Sequence, residues 1–470
     1  MEITIDPSFG PTYRQIAEKI RSMILDGELP PGACLPSVRA LSTMVGTSTL
    51  TVHCAYKLLA DLGLVESQPR QATRVIRRIA GDSGRIMLDR LPNYGPLSSF
   101  EVVAQSSGIR SMASSIGDPS LFYSQDLLTE FHQLRSGDPW DFYYSNPAGA
   151  PELLEQVARL LCQDRIACNE SDLVITDGSM QGISLLLDIA TRPGDSVLVQ
   201  EPGRLWLKEL LLSHRLTAIP IRSGTDPIDL DHVGRCIEQH RPTAMILSPD
   251  FGHATGLVMS ERDRLDCIRL ARDNDVLIIE DGATRPLRFG ARSEMALTAL
   301  DSTTCAYVGS FSYSLCPGVR TGFLRLSTKL RLPAITVAQA KGQGGSRFLQ
   351  LCLARYLGSG AYESHLARIL PRYRARKDAM LSALATAMPR SITWTKPQGG
   401  LSTWVGLSPG TSASELYARA IKLGITFAPG QLFLTAGDPQ RYLRLSYGML
   451  EPAELREATR VLAKIVKTPT

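Results

Sequence analysis

No stretch of this 470-residue chain reaches the roughly 18 uninterrupted apolar residues of a membrane helix, and its start, Met1-Glu-Ile-Thr-Ile, lacks a basic segment followed by an apolar run. Neither membrane insertion nor secretion is expected, and the chain reads as cytoplasmic. Its nine cysteines include no Cys-x-x-Cys pair, and Cys162 and Cys168, the nearest two, have no histidine cluster beside them. Reduced, mostly buried thiols are expected, and a metal site is not. Charged residues are few as well, 21% against 44% hydrophobic, so large cores are available and the length accommodates about three domain-sized units. A net charge of +5 is too small to name a partner.

What is present is local. From Gln68 to Arg78 there are four arginines, Arg70, Arg74, Arg77 and Arg78, and no acid. Such a strip serves equally as a solvated face or as a surface against phosphates, so the preceding residues decide. Tyr13, Ile16, Ile20, Met23 and Ile24 fall at helical spacing until Gly27 and Pro30-Pro31-Gly32 stop the run. Leu35-Pro-Ser37 opens a second helix, with Ser37 as N-cap and Val38, Leu41 and Val45 inward. After the turn Gly46-Thr-Ser48 a third helix directs Val52, Ala55, Tyr56 and Leu59 inward. Thr49, His53 and Lys57 stay outward, the arrangement of a recognition helix in a major groove. Segments around Leu64 to Ser67 and Ala72 to Val75 read as the paired strands of a wing that carries the basic residues.

These landmarks, with Arg39, Thr51 and Gly63, resemble the GntR-type winged helix-turn-helix over residues 11 to 77. The resemblance implies double-stranded promoter DNA as partner, with Ser37, Arg39, Ser48, Thr49, Thr51, His53, Lys57, Arg70 and Arg74 as contact candidates. Thr49 stands where the family frequently has arginine, and Pro69-Arg70-Gln71-Ala72 replaces a glycine-rich wing tip. Both departures shift base or groove contact toward Thr49, His53 and Arg70.

Between residues 79 and 107 periodicity fades into Gly, Ser and Pro, as in Asn93 to Phe100, and a linker is expected between a head at 1–78 and a larger domain at 108–470. In that domain the apolar runs Leu173 to Thr176, Ser196 to Val199, Ala244 to Leu247, Val276 to Ile279 and Thr304 to Val308 alternate with amphipathic helices. This is an α/β pattern, a mainly parallel sheet covered on both faces. Ligands of such sheets gather beyond the carboxyl ends of the strands, where Thr176 to Ser179, Ser248 to Asp250, Asp281 and Ser310 fall. Residues 365–470, with Trp394 to Gly406, Ile425 to Phe433 and Tyr442 to Ser446, read as a smaller α+β lobe. The Gly342 to Gly345 run follows no clear strand and reads as a helix-connecting loop.

The segment Gly309-Ser-Phe-Ser-Tyr-Ser-Leu-Cys-Pro-Gly-Val-Arg-Thr-Gly322 resembles the cofactor-lysine segment of fold-type I aminotransferases, small-Phe-Ser-Lys followed by Pro-Gly-x-Arg-x-Gly. Tyr313 stands where that family has the lysine that bonds pyridoxal phosphate (PLP). A phenol cannot condense with an aldehyde, so covalent attachment and lysine-mediated proton transfer are excluded at this position. With Tyr144, Asn146-Pro147, Gly149, Gly178 to Gln181, Thr255-Gly256, Glu280-Asp281, Pro397 to Gly400 and Arg444 to Ser446, residues 108–470 resemble the aminotransferase-like domain that follows a GntR-type head in the MocR family of bacterial transcription regulators. The resemblance implies a homodimer. It implies that Gly178, Ser179, Ser310, Ser312 and Arg320 bind a cofactor phosphate, that Asp281 pairs with the pyridine nitrogen, and that Arg444 clamps a substrate carboxylate.

A helix-start turn such as Gly178-Ser179 attracts any phosphate or carboxylate. Three further departures gather on the same pocket. Arg204 replaces a usual tyrosine, Gly282 to Thr284 lacks another, and Phe251 to Ala254 lacks an expected proline, so Arg204 and His253 bring positive charge and donors to the site. No catalytic residue is expected. The chain reads as a transcription regulator whose aminotransferase-like domain senses a small anionic effector, either PLP held without a covalent bond at Tyr313 or a different anion. A PLP-dependent aminotransferase using another lysine, Lys341 being one candidate, and a sequence-indifferent DNA-binding protein are the alternatives.

Overall fold

A computed structural model of the chain describes residues 12–25, 28–30, 32–61, 65–66, 72–75, 108–122, 125–134, 143–144, 146–222, 228–290, 294–434 and 437–468. The expected linker and Gly27, Gly63, Arg70, Arg77 and Arg78 lie outside them. The chain divides into two compact units near residue 90. Among the described residues no helix is long and apolar enough to cross a membrane.

The first unit holds α1 (Thr12–Leu25), α2 (Val38–Val45), α3 (Thr49–Asp61) and an antiparallel pair, β1 (Val65–Glu66) with β2 (Arg74–Val75). Ile16 and Ile20 of α1, Leu41 of α2, Val52, Ala55, Tyr56 and Leu59 of α3, and both strand valines form one core. Burying side chains of this size stabilises by roughly 1.5–3 kcal/mol each before entropy is counted. Ser37 caps α2 by accepting the Ala40 N–H at 3.1 Å, and Gly46 ends it in the left-handed region, φ 64°. The Tyr56 hydroxyl donates to the Pro36 carbonyl at 2.7 Å and ties α3 to the start of α2. Residues 32–35 also run along β2: the Val75 N–H donates to Ala33 and the Leu35 N–H to Thr73, so the wing has a third, short extended segment.

In the second unit seven strands form one sheet in the order β4-β10-β9-β8-β7-β5-β6. They are β4 (Leu173–Thr176), β5 (Ser196–Glu201), β6 (Thr217–Arg222), β7 (Ala244–Leu247), β8 (Leu277–Asp281), β9 (Cys305–Ser310) and β10 (Gly322–Arg325). All neighbours are parallel except β10, which is antiparallel to β4 and β9. The α/β reading holds, and β4, β7, β9 and β10 are buried along their whole length, as a sheet covered on both faces requires. Two strands add to the expected set. β6 carries Pro220, which an edge strand tolerates, and β10 is only four residues long and opens on glycine.

The smaller lobe has five strands in the order β11-β12-β14-β13-β3. β11 (Thr393–Trp394), β12 (Ser402–Gly406), β13 (Ile425–Pro429) and β14 (Tyr442–Ser446) come from the end of the chain, whereas β3 (Arg110–Met112) comes from its other side and pairs in parallel with β13. Trp404, Phe427, Tyr417 and Tyr447 fill its core. Cysteine burial differs from expectation: four of the nine are buried, while Cys34, Cys54 and Cys162 are exposed. Cys34 and Cys54 sit in the small head, which has little interior to offer.

Candidate functional site

In the head, Thr49, His53 and Lys57 lie one helical turn apart on α3, all exposed, while the opposite face is buried. Arg39 near the start of α2 and Arg74 on β2 are exposed too. Ser37 and Ser48 are both exposed, but each hydroxyl accepts a backbone N–H three residues on, and Ser48 also bonds the Thr51 hydroxyl at 2.8 Å. These three order the turns that present the helix. Leu50, 70% exposed next to Thr49, carries no signal in the sequence pattern; an apolar side chain at a recognition-helix start suits the methyl group of thymine.

In the larger unit the anion positions meet across three strands. Gly322 of β10 lies opposite Thr176 of β4 and opposite Ser310 of β9, so the turn after β4 and the turn after β9 are brought side by side. The first turn leads into the helix Ser179–Ala190, with Gly178 at φ 96° and Ser179 buried. A Cβ on Gly178 would stand 3.1 Å from the Arg320 guanidinium, and one on Gly322 would stand 2.7 Å from the Gly178 carbonyl carbon. Arg320, itself at φ 41°, donates to the Asp177 carbonyl at 2.7 Å. The Ser310 hydroxyl accepts the Ser312 N–H at 3.2 Å, and the Ser312 hydroxyl is buried with no hydrogen-bond partner. The helix start, the orphaned Ser312 hydroxyl and Arg320 together fit an oxyanion.

The ring positions are arranged differently. Asp281, at the carboxyl end of β8, receives the Arg204 guanidinium at 2.8 Å and His253 Nε2 at 2.9 Å, both on Oδ2, while Oδ1 accepts the Ala283 N–H at 3.2 Å. All three side chains are buried: Arg204 is 11% exposed, His253 3% and Asp281 1%. By sequence these two residues add positive charge to the pocket; the structure spends that charge on Asp281, because a buried carboxylate without donors is strongly unfavourable. Burial pulls the Asp281 carboxyl up, but Arg204 and His253 outweigh it and hold the group well below the usual carboxylate range. Burial pulls Arg204 down, yet Asp281 and the Tyr313 hydroxyl hold it above its ordinary value. For His253, burial and then the Arg204 charge prevail over Asp281, and the imidazole is held below its ordinary value. Its contact with Asp281 is therefore a hydrogen bond at neutral pH, although the separation is that of an ion pair.

Tyr313 completes this cluster, its ring 5.7 Å from the Arg204 guanidinium carbon and 5.5 Å from the His253 ring. Arg444 on β14 is buried, lies over Phe433 at 4.6 Å and donates to the Ala113 carbonyl at 2.6 Å. Its Nε has no hydrogen-bond partner, no acid pairs with it among the described residues, and burial draws its pKa down to about 10. Thr284 donates its hydroxyl to the Asp250 carbonyl at 3.0 Å. Phe433 and the Ala113 carbonyl carried no signal in the sequence; both are placed by the smaller lobe's sheet.

Lys341 is not at this site. It pairs with Asp188, nine residues beyond Ser179 on the same helix and thus roughly 13 Å along its axis from the anion turn. A cavity of about 380 Å³ lies nearby between Leu160, Tyr307, Phe311 and Tyr362, and none of Arg204, His253, Asp281, Tyr313 or Arg444 lines it.

Residues 12–75 match the family described as bacterial regulatory proteins, gntR family. Over nearly its whole length the chain is similar to the uncharacterized HTH-type transcriptional regulator YdcR of Escherichia coli K12, 26% identical across 97% of this chain and 99% of that one. It is similar to the probable rhizopine catabolism regulatory protein MocR of Rhizobium meliloti, 23% identical across 95% and 92%. The crystal structure of LysN, an α-aminoadipate aminotransferase of Thermus thermophilus complexed with N-(5'-phosphopyridoxyl)-L-leucine, covers 78% of this chain and 96% of its own at 26% identity and a TM-score of 0.72. The chain is a helix-turn-helix transcription regulator in which a winged head is joined to an aminotransferase-like domain. More narrowly, the match of its head to the gntR family and its whole-length similarity to YdcR and MocR support a MocR-type regulator.

Proposed function

We propose that the aminotransferase-like domain of this regulator senses a small anionic ligand and carries out no amino-group transfer. The carrying observation is the cluster around Tyr313: a phenol stands at the lysine position, the neighbouring Arg204 guanidinium and His253 imidazole are committed to Asp281, and Lys341 is remote. Arg444, a buried cation without an acidic partner among the described residues, and the orphaned Ser312 hydroxyl both suit an incoming oxyanion. Were the pocket to hold PLP, Gly178, Ser179, Ser310, Ser312 and Arg320 are the residues suited to its phosphate; PLP supplies an electron sink only to substrates it can bond, and no amine at position 313 offers the usual attachment.

The head binds double-stranded promoter DNA through Arg39, Thr49, His53, Lys57 and Arg74. As a homodimer it addresses paired half-sites. A ligand alters DNA affinity only by binding one arrangement of the dimer better than another. The test begins with mass spectrometry of small molecules released from the purified protein. DNA selected from a random library is then titrated with and without the molecule found. Arg320→Ala and Arg444→Ala keep unliganded DNA binding and lose the response; a variant that responds as the native protein does removes the pocket from regulation.

A further inference from the structure

We infer that Arg204 takes the place of a cofactor ring at Asp281, so that the pocket accepts oxyanions carrying no pyridinium and does not select PLP. This deepens the reading above and rests on the anion site proposed there. The reasons are charge and lone pairs. Oδ2 of Asp281 already accepts from Arg204 at 2.8 Å and from His253 at 2.9 Å, and Oδ1 accepts from the Ala283 backbone at 3.2 Å. A carboxylate has about four acceptor positions, of which three are used. Its single negative charge is matched by the single positive charge of Arg204, in a setting where all three side chains are at most 11% exposed.

A pyridinium brought to this carboxylate would be a second buried cation beside Arg204. Like charges in so dry a place repel strongly, and Arg204 does not relieve the conflict by losing its proton. Asp281 is the one ion-pair partner of Arg204 among the described residues. The Tyr313 ring lies against the same guanidinium and against His253, so the ring wall is made of the chain's own side chains. The anion turn, by contrast, keeps an unpartnered hydroxyl on Ser312 and a helix start at Ser179. The site retains what recognises a phosphate or carboxylate and has internalised what recognised the ring. Arg204 is the residue that sets this preference, and the ligand class is a small phosphorylated or carboxylated molecule without an aromatic cation.

The test is calorimetric titration of the full-length protein with inorganic phosphate and with pyridoxine 5'-phosphate, which has the ring nitrogen and the phosphate but no aldehyde to react with surface lysines. In the native protein the two bind within about tenfold of one another. In Arg204→Met, which keeps the side-chain bulk and frees Asp281, pyridoxine 5'-phosphate gains at least about tenfold over phosphate. Tryptophan fluorescence verifies that the variant is folded. Native protein that binds pyridoxine 5'-phosphate more than about a hundredfold tighter than phosphate overturns the inference without any variant. A folded Arg204→Met with an unchanged ratio overturns it as well. If the native protein binds neither probe, the anion-site reading fails, and the inference about Arg204 then stands or falls on whether the variant alone acquires the ring compound.

Discussion

Arg204→Ala removes one half of a buried ion pair and leaves Asp281 with a neutral imidazole and one backbone donor. Breaking such a pair costs about 3–5 kcal/mol, because the remaining charge stays buried. Here the cost depends on pH in a direction that the geometry fixes. In the native protein His253 is held below its ordinary value, first by burial and then by the Arg204 charge. Without Arg204 that repulsion disappears while Asp281 stays 2.9 Å away, so the folded-state value for His253 rises relative to the native protein, with burial still pulling it down. A histidine whose folded-state value is higher in the variant than in the native protein returns stability to the variant as pH falls through that value, and returns none at higher pH. The variant is therefore hurt most at about pH 8, and the defect narrows as pH falls, by at most about 1.4 kcal/mol for each unit by which His253 rises. Urea unfolding followed by tryptophan fluorescence reads this domain alone, since all four tryptophans, at 140, 206, 394 and 404, lie outside the head. A defect under about 1 kcal/mol at pH 8, or one that does not shrink as pH falls, refutes the assignment of Arg204 and His253 as the two partners of Asp281. The double variant Arg204→Ala, His253→Gln keeps the defect and loses its pH dependence.

Removing the cap with Ser37→Ala destabilises α2 by about 1 kcal/mol; faster amide hydrogen exchange across residues 38–45 records it, and unchanged exchange denies the cap its weight. Arg39→Ala with Arg74→Ala lowers affinity for selected DNA and flattens the salt dependence by about 0.9 in log–log slope for each phosphate the protein no longer neutralises; an unaltered slope moves the DNA surface elsewhere. Tyr313→Lys alone gives little borohydride-trapped PLP at position 313, whereas Tyr313→Lys with Arg204→Met gives substantially more by peptide mapping. Equal trapping in the two shows that Arg204 does not guard the ring position.

The three helices of the head were legible because each states its inner face at helical spacing and its ends with Ser37, Gly46 or Pro30; Ile16, Ile20, Val52 and Leu59 are fully buried as that spacing demands. The strands of the larger sheet were legible for the opposite reason, that β4, β7 and β9 are mostly apolar and buried along their whole length. β6 was hidden by a proline, β10 by the glycine and arginine at its ends, and β3 by its distance along the chain from the strands it joins. In the pocket, residue types were readable and their pairing was not. Sequence placed Arg204, His253 and Asp281 near one site, but only the fold shows that two of them satisfy the third, since local spacing carries no information about partners 77 and 28 residues away.

One strand has a mechanical meaning. β3 follows directly on the chain that enters from the N-terminal side, and it is sewn into the smaller lobe's sheet by its parallel pairing with β13 and, one residue on, by the grip of Arg444 on the Ala113 carbonyl. Residues 110–112 are thus anchored to the five-stranded sheet and not to the seven-stranded one. A tug at residue 109 is borne by the lobe that carries Arg444.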